Sequence, residues 1–109
     1  MLRIKLDINN YTVTMRGHSE YAENGKDIVC AGASTLLYTL VHTLEEFRSE
    51  MTKPPIFTVN GKNENQRVTY TCSPNKAYEP NVQLVFLTVA TGFRLLAENY
   101  PDNVKLTII

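Results

Sequence analysis

Two residues in this chain have a type and spacing suited to covalent catalysis. His18 precedes Cys30 by twelve positions, and Asp27 stands three before the cysteine. An aspartate at that point is suited to cap a helix, which puts Cys30 at the third helical position. Free backbone N–H groups and the helix dipole favour negative charge there. Such a setting lowers a thiol pKa and populates the thiolate, which is the nucleophilic form. An imidazole brought back by the intervening loop would take or share the thiol proton and then protonate a leaving amine. The first amides of the helix would stand ready for a tetrahedral oxyanion.

Other readings compete on the same residues. Free cysteine is among the most buried residue types, so residue type alone favours Cys30 as a small core hydrophobe in a non-catalytic binding module. A lone histidine after a strand is commonly a turn or surface residue, and Asp27 caps a helix whether or not catalysis follows. Gly32 in a helix interior costs about 0.8–1 kcal/mol against alanine; close approach of another backbone, from the sheet or a substrate strand, would account for it. Ser34 lies one turn after Cys30 on the same face. Tyr21 is an aromatic residue in a polar loop, a setting for a substrate contact. Cys72 shares a strand face with Val68 and Tyr70 and reads as core, and His42, between Leu40 and Leu44, reads as a solvated or interface side chain. A metal site built from His18, Cys30 and Cys72 lacks a fourth ligand and any usual spacing, so no metal and no cofactor is expected.

The elements that must position these groups follow from periodicity. Leu2, Ile4, Leu6 and Ile8 alternate with polar residues, Asn9-Asn10 is a turn pair that tolerates positive φ, and Tyr11, Val13 and Met15 alternate again. This predicts a hairpin. Residues 17–26 form a polar loop with Gly17 and Gly25 near its ends and Ser19 and Tyr21 within it, a candidate to bind or gate substrate. From Ile28 the period turns helical, with a stripe of Ala33, Leu36, Leu37, Leu40, Val41, Leu44, Phe47 and Met51 that Pro54-Pro55 stops. Ile56 to Val59 reads as a short strand, Asn60-Gly61 as a turn and Gln66 to Cys72 as a longer strand. Pro80 fits the first turn of a second helix, whose stripe runs from Val82 through Phe86, Val89 and Phe93 to Tyr100 before Pro101. Val104, Leu106 and Ile108 alternate in a last strand. The order β-β-α-β-β-α-β, with one apolar face per strand, predicts an α+β two-layer sandwich with helices on one face of a mainly antiparallel sheet.

Composition narrows the function classes. The 109 residues fit a single domain, 1–109, with 43% hydrophobic and 20% charged residues. Eleven basic residues balance eleven acidic ones and no run of Lys or Arg exists, so no direct nucleic-acid partner is expected. Met1 leads straight into a strand pattern rather than a signal-peptide core, and no apolar run approaches the ~18 residues of a membrane span. With no C-x-x-C pair, the expectation is a cytoplasmic protein whose cysteines stay reduced. The apolar surplus of the long helices leaves room for a dimer interface.

Gly17-His18, an eight-residue polar gap, and Asp27-Ile28-Val29-Cys30-Ala31-Gly32-Ala33-Ser34 together closely resemble the ribosomal-processing cysteine protease family, Prp. The opening strand pair and the second helix ending Ala97-Glu98-Asn99-Tyr100-Pro101 resemble it more loosely. The resemblance implies a cytosolic bacterial homodimer of α+β fold. It implies removal of a short N-terminal extension from large-subunit ribosomal protein twenty-seven, with the cut after an aromatic residue. It makes Cys30 the catalytic cysteine and His18 the catalytic histidine, with Asp27 and Ser34 as supporting motif residues. Ser19 departs from the family, which usually has alanine after the histidine, and so bears on the substrate loop of Gly17, Ser19, Tyr21 and Gly25. A related copy could instead process another structural protein, such as a phage capsid component.

Overall fold

The computed structural model describes residues 1–23 and 25–109; Asn24, within the expected loop 17–26, lies outside the described residues. Strands β1 (Leu2–Asp7), β2 (Thr12–Arg16), β3 (Met51–Asn60), β4 (Arg67–Pro74) and β5 (Val104–Ile108) form one sheet, with helices α1 (Ile28–Glu45) and α2 (Glu79–Asn99) packed on it. The sheet order is β3-β4-β2-β1-β5. Neighbours pair antiparallel except β1 and β5, which run parallel with Ile4 opposite Leu106. This is the expected order and layering, with one parallel pair at the β5 edge.

Alternation in the strands builds the inner face. Leu2, Ile4 and Leu6 of β1, Val13 and Met15 of β2, Tyr70 and Cys72 of β4 and Val104 of β5 are buried. The helices answer with period 3.6: Val29, Ala33, Leu37, Leu40, Val41 and Leu44 from α1, and Val82, Phe86, Val89, Ala90 and Phe93 from α2. At roughly 1.5–3 kcal/mol for each large side chain removed from water, this stripe-on-face contact outweighs any local propensity in fixing the fold. Both helices also have the length and apolar character of a membrane span, yet each turns its apolar stripe to the sheet.

Three local expectations need correction. The turn after β1 takes its positive φ at Tyr11 (52°), not at Asn9 or Asn10. Asp7 accepts from Asn10 N at 3.1 Å and Nδ2 at 2.8 Å, which winds the turn, and the buried Tyr11 ring meets Phe86 edge-on at 6.1 Å. Secondly, α1 ends at Glu45, six residues before Met51. Met51 instead opens β3, and Pro54-Pro55 lie inside that strand beside two register shifts against β4. Prolines are tolerated there because β3 is an edge strand, where a missing N–H breaks no second ladder. Thirdly, among the described residues the sheet backbone does not crowd Gly32. A Cβ there would meet only Leu96 Cδ1, at an ordinary 3.5 Å.

Candidate active site

The site forms where the β2 exit, the α1 start and the β3–β4 connection converge. Gly17, at φ 83°, turns the chain sharply out of β2; a Cβ at that position would lie 2.6 Å from the Met1 carbonyl oxygen, so only glycine fits. The chain then runs back over the N-terminus of α1. Asp27 is the anchor. Its Oδ1 accepts from Val29 N at 3.0 Å and Cys30 N at 2.9 Å, making it the helix cap. Its Oδ2 accepts from Ser19 Oγ at 2.5 Å, Tyr21 N at 3.1 Å and Ala22 N at 3.3 Å. One carboxylate thus ends the helix and pins the loop. Burial works against its charge, but the hydrogen bonds from Ser19, Cys30, Ala22 and Tyr21 outweigh that and bring its pKa down to about 2.

Cys30 sits at the third helical position as expected and is half-buried. Two features of its setting were hidden in the sequence. The Val29 and Cys30 amides, which were expected to serve an oxyanion, are taken by Asp27. The ionised cap also counters the positive end of the α1 dipole before Cys30 carries any charge. Ser19 is buried, at 1% exposure, and touches the sulfur twice: its Oγ lies 3.2 Å from Sγ and its N–H donates to Sγ at 3.4 Å. Its carbonyl accepts from Asn103 Nδ2 at 2.8 Å, which ties the loop to the turn before β5.

Cys30 opens onto a cleft of about 680 Å³ that His18, Gly17, Gly25, Asp27 and Ser34 also line. The structure therefore brings the expected cysteine, histidine, aspartate and serine to one cavity. Among the described residues no hydrogen bond joins His18 to Cys30 or to Asp27, so Asp27 acts on the loop and helix rather than on the imidazole. Tyr21 is placed elsewhere: it is half-exposed and packs edge-on against Tyr100 at 5.3 Å, away from the cleft lining. Cys72 is in the core, where burial pushes its thiol up to about 11. Among the described residues no three His, Cys, Asp or Glu side chains gather as a metal site would require.

The sequence reading missed Tyr38, Val59, Val68 and Glu64 in the cleft lining, and its buried apolar floor of Leu2, Met15 and Leu37. Tyr38 was recoverable, since it follows Ser34 by four residues on the cysteine's helix face. Val59 and Glu64 were not, because they arrive through the β3–β4 pairing. A cavity with a thiol, an imidazole and an apolar floor suits a peptide whose large apolar side chain is held while an adjacent carbonyl is attacked.

Known proteins support this chemistry. The family model described as Cysteine protease Prp matches residues 1–105. The chain is 30% identical over 111 residues to the ribosomal processing cysteine protease Prp of Staphylococcus aureus, covering 97% of each chain. It is 29% identical over 103 residues to the protein of the same name from Mycoplasma genitalium, covering 94% of this chain and 93% of the relative. In fold it matches the crystal structure of the essential Staphylococcus aureus Prp in complex with a covalently linked product peptide, with a TM-score of 0.75 and 24% identity over 100% of both chains. It also matches SMU.848 from Streptococcus mutans, with a TM-score of 0.72 and 27% identity over 99% of this chain and 91% of that one. With the family model spanning nearly the whole sequence, the chain belongs to the cysteine protease Prp family.

Proposed function

We propose that this chain is a cytoplasmic cysteine endopeptidase that removes the N-terminal extension of large-subunit ribosomal protein twenty-seven. The observation that carries the reading is that Cys30 and His18 open onto one cleft with an apolar floor. The Cys30 thiol passes its proton to the His18 imidazole and its sulfur attacks the scissile carbonyl carbon. The imidazolium returns that proton to the leaving amine, and water then hydrolyses the acyl-enzyme with His18 as base. Leu2, Met15 and Leu37 receive the aromatic side chain before the cut, while Asp27 and Ser34 support the nucleophile's surroundings. The names of the curated relatives, which specify ribosomal processing, support the substrate class.

Incubation with the extended ribosomal protein, read by mass spectrometry, tests the proposal. One cut after an aromatic residue is expected, with cleavage abolished in Cys30→Ala and reduced about 100-fold or more in His18→Ala. Turnover retained in Cys30→Ala refutes the mechanism, and failure to cut that protein by a chain that cleaves other peptides refutes the substrate.

We further propose a homodimer. Phe57 and Val59 share one face of the edge strand β3 and are exposed, with Tyr38 against Phe57 at 5.8 Å, and such an apolar edge suits burial against a second copy. Sedimentation of wild type and Phe57→Glu tests it: a dimer that the glutamate dissociates is expected, and a monomeric wild type refutes it.

A further inference from the structure

Ser19 is polar yet buried, at 1% exposure, and its hydroxyl stands between the proposed nucleophile and an ionised carboxylate. The hydrogen positions follow from the chemistry of the three groups. Asp27 is ionised, so its Oδ2 can only accept, and the hydrogen in the 2.5 Å contact must be the serine's. That commits the Ser19 O–H to Asp27 and turns an oxygen lone pair towards Sγ, 3.2 Å away. The sulfur's matching role is donor, so the resting contact is S–H to Oγ. The Ser19 backbone, fixed by Asn103 on its carbonyl, adds an N–H at 3.4 Å that tolerates either form of the sulfur.

We propose that Ser19 is a positioning residue that holds Cys30 as a resting thiol and must turn its hydroxyl from Asp27 to the sulfur before the nucleophile is released. The proposal rests on the reading of Cys30 as nucleophile. A hydrogen bond made to the neutral form of a group disfavours its ionisation, and the Asp27 charge beyond the serine acts in the same direction. On activation the S–H proton goes to the His18 imidazole, and the Ser19 O–H rotates to donate to the sulfur anion. Asp27 Oδ2 is then left with the Tyr21 and Ala22 amides. Besides His18 and Asp27, the ionisable groups that line the cleft with Cys30 are Glu20 on the loop, Tyr38 on α1 and Glu64 on the β3–β4 connection. Neither glutamate favours the anion, so they do not replace the serine's release.

Iodoacetamide labelling of Cys30 between pH 5 and 9, resolved from Cys72 by peptide mass spectrometry, reads this without any substrate. Ser19→Ala is expected to label about threefold to tenfold faster near neutral pH, the range of one neutral hydrogen bond, with the rate curve moved to lower pH. Ser19→Thr, which restores the hydroxyl, is expected to return towards wild type. With peptide substrate the acid limb of kcat/KM moves down in Ser19→Ala while KM holds. Equal or slower labelling in Ser19→Ala overturns the proposal, because the serine would then assist ionisation. The infrared S–H stretch of the wild-type protein, assigned with Cys30→Ala, needs no serine variant to fold. A hydrogen-bonded band is expected, and a free S–H or its absence at neutral pH overturns the proposal. Loss of peptide cleavage in every form, with labelling still dependent on Ser19, would sink the protease reading and leave this one standing.

Discussion

Asp27→Asn separates the two jobs of the capping carboxylate. The asparagine carbonyl keeps accepting from Val29 and Cys30, and asparagine is itself a good cap. Its amide, however, replaces Oδ2 and faces the Ser19 hydroxyl and the Tyr21 and Ala22 amides. The serine can turn round and accept; the two amides cannot. Hydrogen bonds to a charged group contribute about 1.5–3 kcal/mol each when buried, and Tyr21 and Ala22 are exposed, so the summed loss at pH 7 is about 2 kcal/mol. A second signature is acid dependence. The folded pKa falls from an ordinary 3.8 to about 2, which at full burial corresponds to about 2.5 kcal/mol. The carboxylate is half-buried, and screening reduces this to about 1 kcal/mol. Because the folded value lies below the unfolded one, this stabilisation is complete above about pH 4 and is lost as the pH falls towards 2. Urea unfolding followed by circular dichroism from pH 7 to 2.5 measures both effects. Wild type is expected to lose about 1 kcal/mol more than Asp27→Asn across the acid range, and Asp27→Ala to fall about another 1 kcal/mol below Asn for the lost cap. An asparagine variant within about 0.5 kcal/mol of wild type at pH 7, with an unchanged acid slope, would refute the anchoring argument.

Gly32→Ala should stabilise the fold by about 0.5–1 kcal/mol, since the added methyl meets only Leu96 at 3.5 Å and the helix gains propensity; a lower urea midpoint would show a close approach the monomer does not contain. Gly17→Ala should destabilise by about 2 kcal/mol or more, from its positive φ and the Met1 carbonyl oxygen 2.6 Å from the new Cβ, and a thermal midpoint equal to wild type would contradict this. Cys72, with its thiol pushed up to about 11 by burial, should resist iodoacetamide at pH 8 in the folded protein and react once urea unfolds it; equal labelling of both cysteines in the folded chain would place Cys72 at the surface.

Periodicity was legible wherever one face is buried. The α1 and α2 stripes and the alternation of β1, β2 and β4 are repeated many times over, so no single residue decides them. Asp27 was legible as a cap because the pattern that follows it is helical from the next residue. The path of β3 through Pro54-Pro55 was not, since edge position depends on which strand pairs beyond it, and that is a property of the whole sheet. Phe47 and Met51 continued the helical spacing only by coincidence of period. The positive φ at Tyr11 was hidden for a related reason: burial of its ring against Phe86 offsets a backbone strain that asparagine would carry more easily. At the site, His18, Asp27, Cys30 and Ser34 announced themselves by type and spacing. Ser19 was marked only as a substrate-loop residue; its contacts with Asp27 and the thiol were hidden, because a serine in a polar loop gives no local sign that the loop closes over it. The Val59, Val68 and Glu64 wall depends on sheet order in the same way.

The Asn103–Ser19 contact spans 84 positions. During synthesis the segment carrying His18, Ser19 and Cys30 emerges early, while its clamp arrives only with the turn that leads into β5. That strand must in turn pair with β1, so two strands far apart in the sequence close the sheet together. A nascent chain that stops at α2 carries every reactive group and lacks the tie that holds the loop over the thiol. Ordering of the site is therefore coupled to completion of the sheet, and contacts of such long sequence separation are among the last to form. An enzyme built this way keeps its nucleophile loosely framed until the Asn103 turn and β5 are in place.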